Sequence, residues 1–395
     1  MEKVAGRYVY TLDGSAPVRN GYVEYGPDGE IIAIGQCADP SSEKIFIDGA
    51  IVPGFVNTHC HVELSYMWKL FRKGTGMAGF IDQINALRDT KPMEEKLKDI
   101  RFWMDRMWSR GVSAMADISN CSDSFAIKQE SPMYTRTFLE VFGTEPEDCG
   151  DVISSVLKLQ AEAESYGLDA APTPHACYTM SPELLTASSR EGLKSGFLSF
   201  HSEETNQEEE MVKFGRGPMW ENRKAAGMSV PPVCGKSSLL YFIDRLQEAH
   251  PAPFDENILL VHEVCMDQEG IDAVKRVMEH PFIALCPCSN LYIHDALPDV
   301  RLMRQNGLKL TVGTDSLSSN DDLDIVRELF CLQEHFEGLE LNELLTWACL
   351  NGAAFLSKED TLGSLQVGKR PGIVAIENLD AEGRLTAGSH SYRIV

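Results

Sequence analysis

The chain has 395 residues, of which 43% are hydrophobic and 24% charged. That is ordinary globular composition, which excludes disordered, collagen-like and coiled-coil classes. The length fits an α/β barrel of about 250 residues with a second, smaller unit. A net charge of −23 repels phosphate backbones, so no nucleic-acid partner is expected. No apolar run is long enough to span a bilayer, so no membrane partner is expected. The start, Met1-Glu2-Lys3-Val4-Ala5-Gly6, lacks the basic and apolar regions of a signal peptide. Eleven scattered cysteines fit reduced thiols in a cytoplasmic protein rather than a disulfide framework.

In chain order, the first 50 residues hold the strand-like runs Tyr8-Val9-Tyr10, Tyr22-Val23-Glu24-Tyr25 and Ile31-Ile32-Ala33-Ile34. The turn signals Asp13-Gly14, Asn20-Gly21 and Pro27-Asp28-Gly29 separate them, predicting hairpins. Eight apolar runs of strand type follow, at 51–58, 112–118, 135–142, 169–175, 197–201, 258–262, 282–286 and 308–314. Segments with helical spacing lie between them, such as 93–110, 151–165 and 267–279. Strands alternating with helices predict parallel βαβ units, and eight of them predict a (β/α)8 TIM barrel whose site lies at the C-terminal strand ends. The tail after about Gly363, with Ile373-Val374-Ala375-Ile376, resembles the start. Both ends are read as parts of one small β-sandwich, giving 1–52 and 361–395 around a barrel at 53–360. The run Glu208-Glu209-Glu210 reads as a solvated helix face. It lies in a long insertion, 203–235, of a length suited to a lid or a dimer contact. The stretch Gly74-Thr75-Gly76-Met77-Ala78-Gly79 reads equally as a loop flexible enough to close over a substrate or as a glycine-rich loop whose aromatics pack on the β-domain. Trp68, Phe71 and Met77 beside it are candidates to stack on a base.

The strongest chemical signal is Asn57-Thr58-His59-Cys60-His61. Residues i and i+2 of a strand face the same way, about 6.6 Å apart along it, so two imidazoles there can close on one ion. His175, His201, His262 and Asp315 also stand at ends of predicted barrel strands. Three imidazoles and a carboxylate form a donor set for one divalent metal, zinc first, with Fe2+ or Mn2+ as alternatives, and leave a position for water. A metal lowers the pKa of its water to about 7, and a carboxylate beside it suits the remaining proton transfers. Glu204 and its neighbour Glu203 compete for that role. Glu63 follows the metal pair and reads equally as a substrate contact or as a brace for a histidine. Arg136 and Glu140 flank the third strand and face either the pocket or an ion pair. Asn290 and Ser316 are candidate braces. Cys286 and Cys288 read as buried thiols at a strand end.

Together these residues resemble the amidohydrolase superfamily, in its cytosine-deaminase-like and nucleoside-deaminase-like branch, which includes adenosylhomocysteine and aminofutalosine deaminases and chlorohydrolases. The carrying motifs are Pro53-Gly54-Phe55-Val56-Asn57-Thr58-His59-Cys60-His61, Pro174-His175-Ala176, His201-Ser202-Glu203-Glu204-Thr205, Val261-His262, Cys286-Pro287-Cys288-Ser289-Asn290 and Gly313-Thr314-Asp315-Ser316. The resemblance implies one metal held by His59, His61, His201 and Asp315, with Glu204 as proton shuttle. It implies that His262 orients the nucleophile, that Asp315 also accepts a proton from it, and that His175 touches substrate. Glu63 and Trp68 complete the expected substrate contacts. Binuclear members carry a carboxylated lysine on the fourth strand. Here that strand reads Asp169-Ala170-Ala171-Pro172-Thr173-Pro174, which favours a single metal and counts against dihydroorotase, hydantoinase and phosphotriesterase chemistry.

The function expected is hydrolytic deamination of an amino-substituted heteroaromatic ring, a small-molecule substrate such as a purine nucleoside derivative, by a homodimer. The same site acting on another C–N or C–Cl bond is the alternative, and an inactive scaffold of the same fold is a third. The unrelated zinc deaminase pattern fails, because His61-Val62-Glu63 has no matching P-C-x-x-C: Pro287-Cys288 is followed by Ser289, Asn290 and Leu291.

Overall fold

The computed structural model describes residues 1–88 and 90–395. Strands β1 (Glu2–Val9), β2 (Val18–Tyr25), β3 (Ile31–Gln36) and β4 (Phe46–Pro53) build the amino-terminal part of one sheet. Asn20-Gly21 is not a turn. It lies inside β2, where Asn20 takes a φ of 50° and a side chain on Gly21 would meet Val9 at 2.7 Å.

The expected strand 51–58 is broken at Gly54. Residues Ile51, Val52 and Pro53 end β4, and a new strand, β5 (Phe55–Cys60), begins the barrel region. A Cβ on Gly54 would lie 1.9 Å from Ser113 Oγ and 2.4 Å from the Pro371 carbonyl, so only glycine passes at this crossing between sheets.

Helices α1 (Gly76–Leu87) and α2 (Met93–Ser109) lead to β6 (Val112–Ser119), and α3 (Phe125–Glu130) leads to β7 (Tyr134–Val141). Then follow α4 (Cys149–Ser165), β8 (Asp169–Pro174), α5 (Pro182–Leu193) and β9 (Phe197–Ser202). The insertion forms α6 (Asn206–Phe214) and α7 (Pro218–Ala225). Next come α8 (Ser238–Ala249), β10 (Phe254–His262), α9 (Gln268–Val277) and β11 (Met278–Leu285). The barrel region ends with α10 (Pro287–His294), α11 (Val300–Gln305), β12 (Lys309–Val312) and α12 (Ile325–His335). A helical stretch, 341–355, precedes β13 (Ile373–Glu377) and β14 (His390–Arg393).

The tail joins the first sheet, whose order is β14-β13-β4-β1-β2-β3. Where the sequence predicts a sandwich, the terminal strands form this one six-stranded sheet. The eight middle strands form two parallel four-stranded sheets, β5-β6-β7-β8 and β9-β10-β11-β12, in place of one continuous ladder.

Both sheets turn alternate residues onto a shared interior. Val56, Ala114, Ala116, Ile118, Phe138, Leu259, Val261, Phe282 and Ala284 form one buried cluster. Phe355 closes one end, with its ring 5.5 Å from Phe282 and 6.1 Å from both Phe138 and Phe197. Ile258 and Leu260, between the inward residues of β10, belong to the other cluster, against the helices. This period of two is what a sheet covered on both faces requires.

The two seams between the sheets are stitched at their C-terminal ends. At one, the His201 amide donates to the His175 carbonyl at 2.9 Å, and Thr173 Oγ1 bonds Ser199. At the other, the Thr314 and Asp315 amides both donate to the His59 carbonyl at 3.0 Å, and Cys60 bridges Asp315. All eleven cysteines are free thiols. Among the described residues no helix is long and apolar enough to cross a membrane.

Candidate active site

Five of the ten histidines meet where the seams close. Ring centroids lie 4.9 Å apart for His59 and His61, 4.7 Å for His59 and His201, 4.7 Å for His175 and His201, and 5.7 Å for His201 and His262. Three local devices aim them.

On β5, Phe55 and Cys60 both face the helices although they are five residues apart, so alternation slips once between them. The pairing with β6 records the slip: Asn57 and Cys60 stand opposite Met115 and Asp117, three steps against two. This bulge carries His59 and His61 onto the interior face. On β10 the period of two would send His262 outward after Val261, and a left-handed φ of 78° at His262 redirects it. On the last strand, a side chain on Gly313 would meet His59 backbone and Cβ at 2.7–2.8 Å, and a φ of 55° at Asp315 follows. Non-glycine residues in the left-handed region cost energy and cluster where geometry serves a site.

His59 Nε2 and His61 Nε2 are 3.2 Å apart, and Asp315 Oδ1 lies 3.6 and 3.5 Å from them. His201 offers a ring nitrogen within 4.8 Å of both imidazole donors. A tetrahedral ion with bonds of about 2.0–2.1 Å has donor–donor edges of about 3.3–3.4 Å. The His59, His61 and Asp315 edges therefore match one small divalent cation, and His201 adds a further imidazole of suitable chemistry beside them.

Asp315 is held by several donors. Ser289 Oγ and Ser319 Oγ donate to Oδ2 at 2.6 and 2.9 Å, and the Ser316 amide donates to Oδ1 at 2.7 Å. Asn290 Nδ2 lies 3.1 Å from His262 Nδ1. An amide N–H there makes Nδ1 the acceptor and leaves the ring proton on Nε2, which faces Glu204 Oε1 at 3.5 Å. Of the candidate braces, Asn290 thus contacts His262 and the Ser316 amide contacts Asp315. Ser289 and Ser319 also hold Asp315, and small hydroxyl residues near a motif carry no distinctive signal in sequence.

A family model described as "Amidohydrolase family" matches residues 50–389. The chain belongs to the amidohydrolase family. It is similar to the 5-methylthioadenosine/S-adenosylhomocysteine deaminase of Halalkalibacterium halodurans, 24% identical over 416 residues that span 93% of this chain and 83% of that one. Among solved structures, it is similar to Helicobacter pylori aminofutalosine deaminase in complex with methylthio-coformycin. The TM-score is 0.79 at 22% identity, over 98% of this chain and 94% of that chain. An adenosine deaminase from Xanthomonas campestris with bound zinc gives a TM-score of 0.72 at 17% identity, over 95% and 84% of the two chains.

In this amidohydrolase, burial and neighbouring charge set the protonation of the site. Burial pushes the Glu204 carboxyl well above its usual range, and Asp315 and Glu208 add to the shift, which favours its protonated form. Burial acts the same way on Asp315, but the hydrogen bond with His59 and the surrounding imidazoles outweigh it and hold that carboxyl well below its usual range. His61 is lowered to about 4, by burial first and then by His59. Two carboxyls within one cluster are therefore driven apart, one to acid and one to base.

Glu203 does not share the role of its neighbour. With a φ of 48° it turns toward α8, where its Oε1 accepts from the Leu239 amide at 3.4 Å. His175 is partly buried, with Nδ1 2.7 Å from Thr179 Oγ1 and Nε2 4.0 Å from Glu140 Oε1. Glu63 is buried and accepts from the Asn120 amide at 2.9 Å and the Cys121 thiol at 3.3 Å. Trp68 stands on the rim, its ring 5.4 Å from Trp103 and its N–H donating to the Asp321 carbonyl at 2.8 Å. Of the pair flanking the third strand, Arg136 pairs with Asp169 and donates to Ser195 Oγ, whereas Glu140 faces the histidines.

Two expectations about the surrounding segments fail. The glycine stretch 74–79 is not a loose loop. Gly76 starts α1, and the Ala78 amide donates to Gln207 Oε1 on α6 at 2.9 Å. Met77, Ala176, Tyr178, Met211 and Met219 then pack α1 against the insertion helices in one apolar cluster. The glutamate run is not a solvated face either. Glu208 is fully buried, accepting from the Glu204 amide at 2.9 Å and from Ser238 Oγ at 2.5 Å, because the insertion folds back over the strand ends. Cys288 is partly exposed rather than buried.

Proposed function

We propose that this protein is a metal-dependent aminohydrolase that removes ammonia from an amino-substituted heteroaromatic ring, with an adenosine derivative as substrate class. The carrying observation is the donor triangle of His59, His61 and Asp315, with edges of 3.2–3.6 Å, beside the buried Glu204. The related deaminases of adenosine derivatives support the substrate class. On this reading His59, His61, His201 and Asp315 hold one divalent cation, with zinc the first choice. The bound cation would supply the Lewis acidity that makes water nucleophilic at neutral pH.

The chain's own groups do the rest. Asp315, kept ionised, accepts a proton from the attacking water. Glu204 gives its proton to the ring nitrogen next to the amine-bearing carbon; the proton taken up by Asp315 then passes to the departing amine, which leaves as ammonia, while the hydroxyl proton of the addition intermediate returns to Glu204. The Nε2–H of His262, which faces Glu204 Oε1 at 3.5 Å, is the donor this reading assigns to the oxygen where charge develops, in a buried site. His175, with Glu63 and Trp68 farther out, is assigned to the substrate side. The same reading divides the chain at 1–52, 53–360 and 361–395, with the two four-stranded sheets as halves of one (β/α)8 barrel. It takes the protein as a cytoplasmic homodimer, for which sedimentation at working concentration is the check.

The test is ammonia release by metal-replete protein from adenosine, methylthioadenosine, adenosylhomocysteine, aminofutalosine, guanine, cytosine and pterins. Turnover of at least one adenosine derivative is expected. Glu204→Gln should bind metal normally and lose about 100- to 10,000-fold in rate. Chloride release from a chlorotriazine with no ammonia from any amine would overturn the reading.

A further inference from the structure

The proposed function leaves one buried charge at the rim unused. Glu140 is 7% exposed and lies on β7, two residues beyond the inward Phe138 and on the same face. Its two oxygens are treated differently. Asn120 Nδ2 donates to Oε2 at 3.2 Å and to the Glu140 carbonyl at 3.0 Å, while the Asn120 amide is itself tied to Glu63. Among the described residues, Oε1 has no hydrogen bond that meets full geometry. It lies 3.3 Å from His201 Nδ1, also buried and unsatisfied, and 4.0 Å from His175 Nε2. The Nδ1 of His175 is already taken by Thr179 Oγ1. One carboxylate oxygen thus stands between a histidine assigned to the cation and one assigned to the substrate.

We propose that Glu140 is a positioning residue that fixes His201 for the cation and His175 for the substrate through the single oxygen Oε1. By accepting from His201 Nδ1–H it would leave Nε2 as the unprotonated nitrogen available to the cation. A carboxylate behind a ligand histidine sets its tautomer and its ring orientation. Asn120, itself tied to Glu63, holds that carboxylate in turn, which gives Glu63 a bracing purpose with three residues between it and the cation. The inference rests on the ligand set proposed above.

The experiment is chelator competition with zinc, run on wild-type protein, Glu140→Ala and Glu140→Gln. Glu140→Ala should bind zinc 10- to 100-fold more weakly while keeping its fold by circular dichroism. Glu140→Gln, whose Oε1 still accepts from an imidazole N–H, should recover most of that loss. Cobalt-loaded Glu140→Ala should show shifted visible bands, and its KM should rise through His175. A folded Glu140→Ala that binds zinc within about twofold of wild type, with unmoved cobalt bands, overturns the proposal. If Glu140→Ala does not fold, Asn120→Ala decides: weaker zinc binding is expected from a carboxylate freed at Oε2, and unchanged affinity overturns it. Wild-type protein that binds no stoichiometric metal would instead defeat the ligand set itself.

Discussion

Replacing Lys128 by methionine tests whether the first half of the site is held by a buried charge pair. Lys128 Nζ lies 2.6 Å from Asp117 Oδ2, and neither side chain has any exposure. The ammonium also reaches Ser119 Oγ at 2.9 Å and Thr137 Oγ1 at 3.3 Å, so its three donors are all used. Asp117 Oδ1 accepts from the Val62 amide at 2.8 Å, directly after His61. Methionine keeps the length of the chain and removes the charge, which leaves a carboxylate buried and unpaired. Breaking one side of such a pair costs about 3–5 kcal/mol. Asp117→Asn with Lys128→Met removes both charges, so it should lose less than the two single changes added together. Urea unfolding of the wild type, both singles and the double variant reads this as a cycle. A loss below about 1 kcal/mol for Lys128→Met, or strict additivity of the two changes, would refute the reasoning.

Stability should fall as pH rises through neutrality. Burial raises Glu208 and Glu328 to about 8 and Glu63 and Glu203 to about 7. A raised carboxyl stabilises the fold fully below its unfolded pKa of about 4.3 and loses that contribution as pH climbs through the folded value, at up to about 1.4 kcal/mol per unit per group. Urea midpoints should therefore drop between about pH 6 and pH 8.5, with a shallower drop in Glu208→Gln; a rising midpoint contradicts the assignment. Gly54→Ala should destabilise by about 1–3 kcal/mol in thermal unfolding. Adding Ser113→Gly should restore only part of this, since the Pro371 carbonyl remains 2.4 Å from the new carbon. Full restoration by the second change would show that the backbone contact yields.

The sequence makes most of the strand and helix order readable, because covered parallel strands are continuous apolar runs and the helices between them repeat at 3.6 residues. The run 258–262 falls within β10, and the run 282–286 overlaps β11 and ends one residue past it. What pattern cannot reveal is where a strand changes sheets. Ile51–Pro53 and Phe55–Cys60 are apolar alike, and the break at Gly54 comes from the backbone of the distant Pro371. The sandwich expected of the two ends is a single sheet for a similar reason: turn signals count strands but do not assign their layers.

At the site, the histidines were legible as strand-end residues, yet period two alone would turn His262 outward. The left-handed φ that corrects it leaves no trace in composition. Three successive glutamates look solvated in sequence, whereas Ser238 and the Glu204 amide satisfy the first of them, Glu208, because the insertion folds back. Glu140 was visible only as one of two charges flanking a strand. The partners that separate it from Arg136 come from other strands.

The central claim is that His59, His61, His201 and Asp315 gather one divalent cation. X-ray absorption on metal-replete protein, with metal content measured on the same sample, tests it most directly. One cation per chain, with three nitrogens and oxygen donors at about 2.0–2.1 Å, is the predicted result. A folded, replete protein that holds no cation, or one whose cation is bound by sulfur, would contradict the account.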